Sequence, residues 1–220
     1  MNQISKIYEE LSKIYGPQGW WPIKGKYLGG PKNNSERFEV MIGAILTQNT
    51  SWKNVEKAIS NLHKENLIYA KKISKVSQKK LAKLIKSAGY YNQKAERLKI
   101  FANYLLKNPN FLKKEIPQLR KELLSIKGIG PETADSMILY ALNKPVFVID
   151  AYTRRIFSRL GFCNEDASYE ELQQMFHKNL PKNTKLFNNY HAVLVEHAKN
   201  NCKKKPECGG CVLSKICSLI

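Results

Sequence analysis

No run of 18 apolar residues occurs anywhere in the 220-residue chain, so no membrane-spanning helix is expected. The start of the chain, Met1 to Glu10, is polar and lacks the apolar core of a secretory signal. These two absences predict an intracellular, cytoplasmic protein, associated with the nucleoid if its source is prokaryotic. Acidic residues are scarce: 18 Asp and Glu stand against 37 Lys and Arg, for a net charge of +19. That excess calls for a polyanionic partner, most commonly nucleic acid, unless it only reflects a Lys-rich solvated surface from biased genome composition. Cysteine is almost missing before residue 202, where Cys163 stands alone. A framework of disulfides spread through the chain is thereby excluded, and Cys163 reads as a small apolar residue. Strand-like alternation and repeat arrays are absent as well.

What is present is helical periodicity. Apolar residues make up 43% of the chain, enough for one large domain or two small helical lobes. Ile4, Ile7, Leu11 and Ile14 recur at helical spacing until Gly16-Pro17. Gly16 to Asn34 is rich in Gly and Pro, reads as an ordered loop, and contains Trp20-Trp21-Pro22. Further helices are expected over 38–50, 52–63, 79–87, 90–106, 117–124, 131–142, from Asp150 to about 160, 168–180 and 184–200. The fold class is all-α.

Two segments carry chemistry. In Ile126-Lys127-Gly128-Ile129-Gly130-Pro131, two glycines allow a tight turn between helices, Ile129 tucks inward, and Pro131 suits a first helical position. Backbone N–H groups at such a turn can hold a DNA phosphate without reading sequence; an ordinary helix–turn–helix corner would look alike. Asp150 lies 20 residues beyond Gly130, after the apolar run Val146 to Ile149. An Asp before a helix is an N-cap. A capping carboxylate accepts N–H bonds that keep it ionised, as stabilising positive charge on a deoxyribose requires.

The hairpin, the apolar stretch and Asp150 together resemble the signature of the endonuclease III superfamily. Phe38 to Thr50, including Leu46-Thr47-Gln48-Asn49-Thr50, is similar to that family's early helix, and Gly89 to Ala95 to its following loop. The resemblance implies two helical lobes with a DNA groove between them. One is a six-helix barrel lobe over 31–144, with its helix-hairpin-helix at 123–142; the other is formed by 1–30 and 145–220. It places Asp150 at the catalytic position, and it places Gln48 and Tyr90 where side chains fill the gap left by an extruded base. Both also have plain readings, Gln48 as a partner of buried backbone groups and Tyr90 as a packing aromatic. Bifunctional members carry a Schiff-base lysine where this chain has Glu132, which implies a monofunctional enzyme. Lys127 precedes the hairpin and is expected to meet phosphate.

Trp20-Trp21-Pro22, Leu46 to Thr50 and Tyr91-Asn92-Gln93-Lys94-Ala95 look most like the 3-methyladenine glycosylase branch. An N-alkylated purine is cationic and leaves readily. Trp20, Trp21 and Phe38 could hold it by stacking and cation–π attraction, though the tryptophans could equally pack a lobe junction. His63, His177, His191 and His197 form no constellation legible in sequence.

Cys202, Cys208, Cys211 and Cys217 follow the pattern Cys-x5-Cys-x2-Cys-x5-Cys. Four thiolates at this spacing suit a [4Fe-4S] cluster or zinc, and the family resemblance implies the cluster. The first gap is one residue shorter than in endonuclease III; Lys203, Lys204 and Lys205 fill part of it and could reach phosphates or simply face solvent. The expected partner is double-stranded DNA containing damaged bases, met by a monomer and away from membranes. The competing readings are a mismatch or oxidised-base glycosylase, with or without lyase activity, and a non-enzymatic structure-specific DNA-binding module.

Overall fold

The computed structural model describes residues 2–27 and 29–218, and the chain divides into two units, Trp21–Lys144 and Met1–Trp20 with Pro145–Ile220. Among the described residues the regular structure is helical, apart from one isolated bridge between Ile23 and Lys26. No helix among them is long and apolar enough to cross a membrane.

The middle unit is organised by α2 (Asn34–Leu46), in which every residue from Phe38 to Leu46 is buried. It packs on α3 (Trp52–Lys64), α6 (Tyr91–Lys107) and α8 (Pro131–Ser136). α4 (Ala70–Lys75), α5 (Gln78–Leu84) and α7 (Ile116–Leu124) complete it. α2 starts earlier than its apolar face predicts, because Asn33 caps it through the Glu36 N–H. It stops at Leu46 rather than 50. The Thr47 hydroxyl donates back to Gly43, and Asn49 turns the chain with φ of 53°. α4 has no counterpart in the sequence reading; its Lys-rich stretch carries a single buried residue, Ile73. The helix expected over 131–142 is α-helical only to Ser136 and continues as a π-turn over Met137–Ala141.

The boundary between units falls at residue 21, not at 31. Trp21 is 7% exposed and packs edge-on against Trp52 and at a tilt against Tyr140, with centroids 5.1 and 5.3 Å away. Ile23 is fully buried, and the Lys24 N–H donates to buried Glu39 at 2.7 Å. These contacts draw 21–27 into the middle unit.

The second unit joins α1 (Gln3–Tyr15) to α9 (Ala151–Arg159), α10 (Tyr169–Asn179) and α11 (Thr184–Asn200). Its core is aromatic: Phe147, Phe157, Phe176, Phe187 and Tyr190 are all fully buried and in mutual ring contact. Ile4, Ile7 and Leu11 of α1 are buried, and the Tyr190 hydroxyl donates to the Ile4 carbonyl, tying the two ends of the chain together.

Candidate active site

In the middle unit, α7 and α8 are joined through Ser125 to Gly130. Arg120 of α7 and fully buried Asp135 of α8 form an ion pair at 2.9 Å that fixes the two helices. Ile129 is 5% exposed and its N–H donates to Ile126, so the turn is pinned inward as expected. The two glycines differ. Gly128 has φ of 85°, and a Cβ there would run into the Arg97 side chain. Gly130 has φ of −94°, and a Cβ there would meet nothing. Sterics inside the protein therefore demand glycine only at 128. Gly130 is exposed, is the N-cap of α8 and makes no side-chain cap, so its first-turn N–H groups are not covered by a capping side chain. Lys127 reaches Glu96 at 2.7 Å in an exposed pair, a weak tie that an incoming phosphate can compete with.

Gln48 is bound to this hairpin. Its amide donates to the Gly128 carbonyl and the Thr133 hydroxyl, both at 2.9 Å, and accepts from Arg97. Its neighbour Asn49 is exposed at the tip of the turn. Tyr90 is 66% exposed with φ of 45°, at the start of α6. Phe38 and Trp21 are held otherwise than as open aromatic faces. Phe38 is 5% exposed and stacks on Phe101 inside the lobe, because its place on α2 faces the unit's interior; Trp21 is packed as described above. Trp52, half-buried at the start of α3 and against Trp21, was not singled out by the sequence reading.

In the other unit, Val146 to Ile149 are buried and lie outside any helix. Side chains satisfy their backbone: His177 Nε2 accepts from Phe147 N–H, Gln173 donates to the Phe147 carbonyl, and the Tyr169 hydroxyl accepts from Ile149 N–H. This anchorage fixes Asp150, which caps α9 by accepting the Thr153 N–H at 2.7 Å. Its other oxygen lies 3.5 Å from Nε2 of His191, and the two side chains are 11% and 6% exposed. Burial alone would raise the Asp150 pKa. The neighbouring His191 imidazole, with the Thr153 contacts, outweighs it and holds the carboxyl below its usual value. Trp20 packs edge-on against His191, with centroids 5.5 Å apart. Asp150, His191 and Trp20 thus come together, whereas Trp20 and Trp21 diverge into different units. His191 was missed because helical periodicity shows only that α11 buries a face, not what that face meets.

Cys202, Cys208, Cys211 and Cys217 line one small cavity, partly open to solvent, together with Ile156, Arg159 and His197 among others. Burial pushes the Cys211 thiol up, and the three other thiols push it further. Arg159 donates to Cys202 Sγ at 3.3 Å and to the Lys203 and Lys204 carbonyls. Nε2 of His197 lies 3.7 Å from Cys211 Sγ, and burial lowers the His197 pKa to about 4. Among the described residues no three His, Cys, Asp or Glu side chains close on a single point as ligands of one ion do. Lys203 pairs with Glu207, while Lys204 and Lys205 are exposed.

The chain is 48% identical over 97% of its length to a Methanocaldococcus jannaschii protein that carries the name of a DNA repair glycosylase, spanning 95% of it. It is 31% identical to endonuclease III of Thermotoga maritima over 85% of this chain and 86% of that one. Among solved structures it is similar to the H. pylori 3-methyladenine DNA glycosylase MagIII bound to 1,N6-ethenoadenine, with TM-score 0.75, 31% identity and coverage of 89% and 97% of the two chains. It is also similar to a trapped endonuclease III–DNA covalent intermediate, with TM-score 0.79, 25% identity and coverage of 100% and 97%. The family model of the HhH-GPD superfamily base excision DNA repair proteins matches residues 42–182, a span that holds both the hairpin and Asp150, and the chain belongs to that family.

Proposed function

We propose that this glycosylase hydrolyses the N-glycosidic bond of alkylated purines such as 3-methyladenine after base flipping, without cleaving the strand. The observation that carries the reading is Asp150: a nearly buried carboxylate kept ionised by His191 and by the Thr153 N–H. As the bond to a cationic purine breaks, positive charge grows on the sugar. A fixed carboxylate opposes that charge and orients the attacking water, for which mutagenesis of comparable groups gives about 10²–10³ in rate. The purine's own charge makes it a good leaving group, so no general acid is required.

The lysine that forms a Schiff base in bifunctional relatives is replaced by Glu132, an exposed first-turn residue of α8. A carboxylate cannot form an imine, which supports a simple glycosylase. Trp20, seated on His191 in the unit that carries Asp150, is the aromatic surface best suited to a flipped base. The hairpin at Lys127 to Gly130 holds backbone phosphate, and Lys203, Lys204 and Lys205 add longer-range attraction.

Cys202, Cys208, Cys211 and Cys217 would hold a [4Fe-4S] cluster. The four thiols line one cavity beside Arg159 and His197, which supports a shared centre, and the resemblance to endonuclease III favours the cluster over a single zinc. Such a cluster would give the last loop a covalent anchor, and Arg159 and His197 direct hydrogen-bonding groups at the thiols that would hold it. Purified protein should be brown with about four irons per chain, and Cys208→Ser should lose them; one zinc per colourless chain would reject the cluster.

The decisive assay incubates the protein with duplexes holding 3-methyladenine, 1,N6-ethenoadenine, mismatched thymine or 8-oxoguanine and identifies each released base. Release of alkylated purines with no borohydride-trapped adduct is expected. Release of thymine or 8-oxoguanine alone, or a trapped adduct, would select the alternative glycosylase readings. No release of any base would leave a DNA-binding module.

A further inference from the structure

Lys94 is the most deeply buried lysine described, at 1% exposure. Its ammonium donates to three backbone carbonyls, Leu46 at 2.8 Å, Gln48 at 2.7 Å and Ala88 at 2.8 Å. All three of its N–H groups are thereby used. Burial first, and the nearby Arg97 charge second, lower its pKa to about 8. A charge held at that disadvantage needs a reason, and capping the end of α2 accounts for only part of it. The Leu46 and Gln48 carbonyls lie at the end of α2 and in the turn after it. The Ala88 carbonyl belongs to a turn far away in sequence, just ahead of Gly89 and Tyr90.

Both turns have non-glycine residues with positive φ near these carbonyls: Asn49 at 53° and Tyr90 at 45°. Such conformations are uncommon outside glycine and persist when the surroundings impose them. Both residues are exposed. The Gln48 side chain, by contrast, is turned onto the hairpin and Arg97, which leaves Asn49 as the outward member of its turn.

We propose that Lys94 is a positioning residue for base extrusion. Its ammonium holds two separate turns at a fixed spacing, so that their tips, Asn49 and Tyr90, enter the space left by a flipped nucleotide. This rests on the reading that these two turns face the DNA. A group that only stabilised α2 would have no need of Ala88.

The probe is a duplex with a tetrahydrofuran abasic analogue and an adjacent 2-aminopurine, compared with an undamaged duplex. Wild-type protein should prefer the abasic duplex and raise the 2-aminopurine fluorescence. Lys94→Met and Lys94→Gln should fold and bind undamaged duplex within about twofold of wild type. The Met variant should lose about tenfold of the abasic preference, which equals about 1.4 kcal/mol, along with the fluorescence rise. The Gln variant, with two donors left, should lose less. Lys94→Met should add nothing in an Asn49→Ala/Tyr90→Ala background. A folded Met variant with wild-type preference, a full additional loss in that background, or failure of both variants to fold would each overturn the proposal, the last by making Lys94 a structural residue. The underlying reading fails separately: Asn49→Ala/Tyr90→Ala with unchanged preference and fluorescence would mean that the turns do not enter DNA at all.

Discussion

Two helix starts, α8 and α9, face the same physical problem and answer it differently. Each leaves first-turn N–H groups without partners inside the helix. At α9 the Asp150 carboxylate takes one of them internally, at 2.7 Å from the Thr153 nitrogen. At α8 the cap is Gly130, which has no side chain to offer, and Pro131 follows at N1. One start has an anion built in; the other is suited to an anion from outside. On the proposed function, the residue type at the cap separates the carboxylate assigned to the sugar from the open start assigned to the phosphate.

The comparison breaks most visibly at Asp150. Asp150→Asn keeps a capping oxygen and removes the charge, so single-turnover base release should fall by about 10²–10³, with a modest loss of thermal stability because the cap survives and the charge contribution does not. Near-wild-type excision would remove Asp150 from the chemistry.

The glycines sharpen the other side. Gly128→Ala should destabilise the protein by about 1–2 kcal/mol, since it forces a side chain into the left-handed region and against Arg97. Gly130→Ala should leave the melting temperature in place, since a Cβ there meets nothing, while weakening affinity for undamaged duplex if the uncapped start of α8 takes the proposed phosphate. Equal stability losses at both positions would return Gly130 to a purely structural role.

A smaller effect concerns pH. The folded pKa of Asp150 is depressed, so its contribution to stability is present above the unfolded value of about 3.9 and is lost as pH falls through the lower folded value. Base release should share that acid limb. His191→Phe removes the His191 contribution and leaves burial opposed only by the Thr153 contacts, so the limb in a pH–rate profile should move to higher pH. A limb that stays in place would show that His191 does not set the charge of Asp150.

The smallest expected change is electrostatic. Lys203, Lys204 and Lys205 replaced together by Ala should flatten the salt dependence of duplex binding by about 0.9 in slope for each phosphate that is no longer neutralised. An unchanged slope, measured by titration at several salt concentrations, would assign them to solvent.

Much of the helical framework was legible because local rules dictate it. The spacing of Ile4, Ile7 and Leu11 marks the buried face of α1, and Pro131 opens α8 as its missing N–H allows. Asp150 was readable as a cap for the same reason: its bond to Thr153 spans three residues. The errors are also physical. α2 begins and ends away from its apolar face because Asn33 and Thr47 control its ends. α4 went unseen because six residues with one buried side chain carry no periodicity to detect.

The sequence by itself determined the all-helical class, the glycine turn between α7 and α8, and the capping carboxylate, since each depends on residues a few positions apart. Only the tertiary structure decided that His191 meets Asp150, that Trp20 and Trp21 part into different units, that Phe38 turns into the core, and that Lys94 spans two turns. Those contacts join residues far apart in the chain. Their partners are selected by how helices pack, which no local pattern encodes.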